Sequence, residues 1–140
     1  MEHLAQAAEG VYALTTRSIT ISVEPEFLDD HSDALEHRFV WAYHVRIENH
    51  GPETVQLKSR YWRITDEAGQ VQEVTGDGVI GEQPALKPGD SFEYSSGTPL
   101  GTSSGIMQGH YVMETENSES FKVEIPVFSL DSPYQNRLLH

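Results

Sequence analysis

The stretch Phe39-Val40-Trp41-Ala42-Tyr43-His44-Val45-Arg46-Ile47 places Phe39, Trp41, Tyr43, Val45 and Ile47 on one side at a period of two. That is the repeat of a β-strand with one buried face. Its other side is mixed, with Val40 and Ala42 ahead of His44 and Arg46, so the strand is expected to be covered on both sides near its start and to run centrally in a sheet. Upstream, Arg17 to Glu24 alternates Ile19, Ile21 and Val23 with Ser18, Thr20 and Ser22. Downstream, short runs follow at Thr54 to Leu57, Arg60 to Thr65, Val71 to Thr75, Ser91 to Ser95, Tyr111 to Thr115 and Phe121 to Ile125. Turn chemistry separates them: Asn49-His50-Gly51-Pro52, Glu67-Ala68-Gly69-Gln70, Lys87-Pro88-Gly89-Asp90 and Glu116-Asn117-Ser118-Glu119. Short strands punctuated in this way predict an all-β fold, a two-sheet antiparallel β-sandwich.

The chain has 140 residues, the size of one domain. Nine Lys and Arg against 22 Asp and Glu give a net charge of −13. Such a balance repels nucleic-acid phosphate and an anionic membrane surface, so neither is an expected partner and a basic one fits better. Without cysteine there is no disulfide, thiolate metal site or thiol chemistry. The first 16 residues lack a cationic start leading into an apolar run, and the reading is of a soluble, cytoplasmic protein. The sandwich is placed at 17–130. Residues 1–16 are read as a flexible segment, with a frayed helix or tail over Glu2 to Leu14 on the spacing of Leu4, Ala7, Ala8 and Val11, and 131–140 as a mobile end.

Charge is unevenly placed. Between Arg38 and Arg63 five basic residues stand against two acidic ones, whereas Glu24 to Glu36 carries six carboxylates and no Lys or Arg. The acidic segment, broken by Pro25, reads as a solvated loop. Asp29, His31, Asp33 and His37 within it are candidates for weak divalent-cation binding, although Ala34 and Val40 stand where a calcium loop needs Gly and Glu. Gly76-Asp77-Gly78-Val79-Ile80-Gly81 spells GxGxxG. Pro84 and Pro88 prevent the helix a dinucleotide site requires, which leaves the loop as a set of tight turns. Gly76, Gly78 and Gly81 are the alternative ligand site, their N–H groups offered to a polyphosphate or phosphorylated nucleotide with Arg60 or Arg63 as counter-charge. Gly101-Thr102-Ser103-Ser104-Gly105 matches G-x-S-x-G, but no helical pattern follows, so the nucleophile-elbow reading fails. Arg60, Tyr61 and Arg63, with Tyr94 and Phe92 as further exposed aromatics, form an aromatic and arginine patch of the kind that anchors partners. No nucleophile, base and orienting group line up along the chain, so no enzyme and no cofactor are expected.

Taken together, Ile47-Glu48-Asn49-His50-Gly51, Ser59-Arg60 with Trp62, Ile64-Thr65-Asp66, Gly76-Asp77-Gly78-Val79-Ile80-Gly81-Glu82-Gln83-Pro84, Phe92-Glu93-Tyr94, and Gly105 with Met107, Gly109, Tyr111 and Met113 resemble the ApaG family, also called CorD. The resemblance runs from Arg17 to Leu130. It implies an immunoglobulin-like or fibronectin type III-like sandwich, an association with cobalt and magnesium handling, and a bacterial gene neighbouring that of a diadenosine tetraphosphatase. Related domains in eukaryotic F-box proteins and in a polymerase-interacting protein imply an adaptor or protein-binding role. The resemblance carries no catalytic residue set. The expected function is a binding module for a protein partner, presenting the patch around Arg60, Tyr61 and Arg63 together with the glycine loop.

Overall fold

Alternation at period two needs a second layer to bury against, and ten strands supply it in the computed structural model, which describes the backbone of residues 3–8 and all of residues 10–134. The strands are β1 (His3–Ala8), β2 (Val11–Thr16), β3 (Ile19–Phe27), β4 (Phe39–Asn49), β5 (Val55–Asp66), β6 (Val71–Asp77), β7 (Ala85–Leu86), β8 (Ser91–Leu100), β9 (Ser104–Thr115) and β10 (Ser120–Asp131). One sheet has the order β1-β2-β3-β4-β8, the other β10-β9-β5-β6, with β7 also pairing β5. Every pairing is antiparallel. The expected sandwich is therefore present, and β4 lies inside its sheet between β3 and β8.

The decisive stretch packs as its periodicity requires. Phe39, Trp41, Tyr43, Val45 and Ile47 are buried, while Val40 and Ala42 on the other side are half-buried. Tyr43 meets Trp62 of the opposite sheet at 5.1 Å between ring centroids, and Trp62 meets Phe128 edge-on at 6.1 Å. Each fully buried large side chain here contributes roughly 1.5–3 kcal/mol relative to exposure. Polar contacts also cross between the sheets: the Trp41 indole N–H donates to the Asp131 carbonyl at 3.0 Å, the Asn49 side-chain amide donates to the Leu86 carbonyl at 2.9 Å, and the Tyr94 and Tyr111 hydroxyls meet at 2.5 Å. Burial raises both phenols well above the ordinary tyrosine range, so the pair stays neutral and each hydroxyl finds its partner inside the core. Tyr94 is accordingly a core residue and not part of an exposed aromatic face.

Several expectations are corrected. Thr54 to Leu57 and Arg60 to Thr65 are one strand: the register of β5 slips between Leu57 and Ser59. Buried positions are odd before the bulge (Val55, Leu57) and even after it (Trp62, Ile64), because one extra residue reverses the side to which a strand's side chains point. At its described residues the stretch from Glu2 to Leu14 is not helical. It holds β1 and β2, which extend the first sheet from the edge of β3, with Tyr12 6.1 Å from Phe128. Pro25 lies inside β3, and the acidic stretch beyond it folds into two short 3-10 turns, Asp29–His31 and Ala34–Glu36. At the other end β10 runs to Asp131, Ser132 is buried and Tyr134 lies 5.9 Å from Phe39 and 6.1 Å from Phe27. The rest of the expected tail, 135–140, lies outside the described residues.

Candidate functional site

On β5 the parity set by the bulge decides what faces solvent. Trp62 and Ile64 point into the core, so Tyr61 and Arg63 point outward, with Arg63 exposed. Across the pairing with β9 the register partner of Tyr61 is His110, whose neighbours Gly109 and Tyr111 are buried. The two outward rings stack at 5.1 Å with planes 28° apart. A β-carbon on Gly109 would lie 2.0 Å from the Tyr61 carbonyl oxygen, so only glycine lets β9 approach β5 this closely beside the stack. On the other flank Tyr61 donates its hydroxyl to the Glu73 carboxylate of β6 at 2.6 Å. An open cavity of about 390 Å³ is lined by Ser59, Tyr61, Thr75, Asp77 and His110 among others.

The electrostatics of the stack follow from these contacts. The hydrogen bond to Glu73, reinforced by desolvation, raises the Tyr61 pKa, so the phenol remains a donor at any physiological pH. Desolvation, helped by the Lys122 cation, lowers the His110 pKa and keeps the imidazole neutral at neutral pH. A neutral aromatic pair thus stands beside the Arg63 cation on a chain of net charge −13.

Arg60 also borders that open cavity, but its guanidinium is engaged with the glycine loop. The residue has the parity of Trp62, and its guanidinium lies over its register partner Gly76, where a β-carbon would come within 2.8 Å of it. From there Nη1 donates to the Asp77 carbonyl at 3.0 Å and the Gly78 carbonyl at 2.9 Å. Arg60 is the clamp of the glycine loop. The loop itself is a tight turn: Val79 and Glu82 exchange backbone hydrogen bonds of 2.8 and 2.9 Å, and the Gly78 N–H donates to Lys58 at 2.9 Å. Gly78 and Gly81 have φ of +64° and +79°, and no helix follows. The N–H groups of Gly78, Val79 and Glu82 are spent on protein carbonyls, so they form no cradle for a polyphosphate.

The acidic segment gathers no metal ligands either. Asp33 accepts the Leu35 N–H at 3.1 Å and its backbone pairs with Arg38, while His37 adopts φ +53° to end the second turn. Among the described residues no three His, Asp or Glu side chains converge on a point where a cation could sit. Asp29, His31, Asp33 and His37 are thus distributed around two turns and do not point at a common centre. Ser103 of the G-x-S-x-G stretch is buried in the turn before β9, within 3.4 Å of Glu67. Sequence reading missed His110 and Glu73 as companions of Tyr61. The alternation on β9 marks His110 as outward-facing, but only the β5–β9 register shows which residue it faces.

Residues 29–115 match the family described as the ApaG domain. The chain belongs to that family. Its relatives named Protein ApaG include one from Parvibaculum lavamentivorans, 61% identical over 130 residues that cover 93% of this chain and all of that one. Another, from Rhodospirillum centenum, is 60% identical over 89% of this chain and 95% of its own. A crystal structure of a Bordetella pertussis protein named for ApaA superposes with a TM-score of 0.80 at 47% identity, over 82% of this chain and 94% of that chain. The matched ApaG segment includes the stack, Arg63, the glycine loop and its Arg60 clamp. β2, β3 and β10, which complete the sandwich, lie outside it. Among the described residues no helix is long and apolar enough to cross a membrane.

Proposed function

We propose that this ApaG domain is a binding module whose protein partner sits on the outer face of β6, β5 and β9, centred on the Tyr61–His110 stack with Arg63 beside it. The observation that carries this reading is an outward-facing aromatic pair held neutral by its own contacts and flanked by an arginine. Rigid aromatic groups and arginine are the residue types that anchor protein interfaces, because they bury much area for little side-chain entropy. The partner complements Arg63 with a carboxylate and covers the ring pair with an apolar surface. Cobalt and magnesium handling, which the family resemblance implies, draws no support from the dispersed carboxylates of the acidic turns. The glycine loop contributes shape beside this face, and Arg60 keeps that shape.

Paired variants test the assignment. Tyr61→Ala with Arg63→Ala removes capture of the proteins that wild-type domain retains from lysate, and leaves the melting temperature within a few degrees. Arg60→Ala behaves in the opposite way, lowering the melting temperature by releasing the Asp77 and Gly78 carbonyls, at a cost of about 1–3 kcal/mol. An unchanged capture profile in the Tyr61/Arg63 variant sinks the reading.

A further inference from the structure

The outer face of the other sheet holds a second constellation, drawn from three strands. His44 of β4 has Nδ1 2.6 Å from the Ser95 hydroxyl of β8 and Nε2 2.9 Å from the Glu26 carboxylate of β3. The sheet register produces it: Ser95 is directly opposite His44 on one side, and on the other Glu26 is the next outward residue beyond Glu24, the partner of His44. An ionised carboxylate only accepts hydrogen bonds, so Nε2 carries the proton, and Nδ1 presents its lone pair to the hydroxyl, which donates. A hydroxyl bonded to an imidazole that an acid orients from behind is the arrangement of an activated nucleophile. Sequence reading could not line these residues up, because they lie far apart in the chain and none sits in the serine motif.

The array opens on a cavity of about 440 Å³ whose wall also includes Val11, Glu24, Arg46 and Glu93. Arg46 lies two residues beyond His44 on the same face, and its contacts to Glu48 and Glu93 are 3.6 and 3.7 Å. Those separations exceed charge-assisted hydrogen bonds, so the guanidinium keeps N–H donors for a negative oxygen.

We propose that Ser95 is a nucleophile toward small activated esters, with His44 as its general base, Glu26 as the positioning residue and Arg46 facing the developing oxyanion. Ser95 Oγ forms a bond to the acyl carbon while its proton passes to His44 Nδ1. The ester C–O bond then breaks and the leaving oxygen takes that proton. Water gives a proton to His44 as its oxygen bonds to the acyl carbon, and His44 returns that proton to Ser95 Oγ as the acyl–serine C–O bond breaks and the acid leaves. Glu24 and Glu93 on the cavity wall, with Glu26 against His44, favour neutral or cationic esters over anionic ones. This face is on the opposite sheet from the proposed partner surface, so either assignment stands without the other.

The test uses the full chain with a fluorophosphonate probe, whose P–F bond breaks as the Ser95 Oγ–P bond forms and fluoride departs. Peptide mass spectrometry is expected to find the label on Ser95, with none in Ser95→Ala and labelling at least about 100-fold slower in His44→Gln. With 4-nitrophenyl acetate, Glu26→Gln lowers kcat and leaves KM unchanged, as expected of a group that orients the base without touching substrate. All three side chains are at least partly exposed, and melting curves confirm that each variant is folded. Absence of label on Ser95, or labelling equally fast in His44→Gln, overturns the proposal.

Discussion

His110 has two consequences that a reader of its residue type alone would miss. Covered by Tyr61 and repelled by Lys122, its imidazole takes a proton less readily than in the unfolded chain. A histidine whose folded pKa is depressed leaves stability unaffected above its unfolded value. As the pH falls through the ordinary histidine range the unfolded chain takes the proton first, and stability is lost until the folded pKa is passed. Ring-proton NMR is expected to show a titration midpoint for His110 below the ordinary value, rising when Tyr61→Ala uncovers the ring. A His110→Gln variant is expected to lose less stability than wild type between neutral pH and mildly acidic pH. Much of this residue's character was beyond sequence reading. The alternation of Gly109, His110 and Tyr111 announces an outward side chain, whereas the desolvation comes from a ring 49 positions away that only strand pairing delivers.

At the scale of elements, bulges and turns decide which side chains share a face. The slip between Leu57 and Ser59 keeps both Leu57 and Trp62 in the core and so sends Tyr61 and Arg63 outward. Arg60, one position from Tyr61, falls on the opposite side and becomes a loop clamp. The glycine loop shows local geometry at odds with residue type: Ile80 has φ +43° at the tip of the Val79–Glu82 turn and is 56% exposed. A β-branched residue in the left-handed region costs about 1–2 kcal/mol, and glycine there avoids that strain at a smaller entropic penalty. Ile80→Gly is therefore expected to raise unfolding stability by about 0.5–1 kcal/mol. In urea the midpoint rises with the slope unchanged. A drop in midpoint would mean that Ile80 makes packing contacts outweighing the strain. Glycine at 76, 78 and 81 was visible in the sequence as turn chemistry, but that the Gly78 amide is taken depended on the Lys58 carbonyl.

For the molecule as a whole, a net charge of −13 on one domain sets carboxylates against one another across the surface. Screening this repulsion should raise the melting temperature as sodium chloride increases from low to physiological ionic strength, and a flat or falling curve would contradict it. The alternation of apolar residues over Phe39 to Ile47 and Ile19 to Val23, with turn residues between strands, determined the all-β class and most of the buried set, because burial of every second side chain is a local property of the chain. Tertiary structure decided the rest. Val11 to Thr16 became a strand because β3 offered it an edge, against an alanine-containing segment's weak helical spacing. The Tyr61–His110 stack and the Glu26–His44–Ser95 array depend on register between strands distant in sequence, and cross-strand register has no local signature.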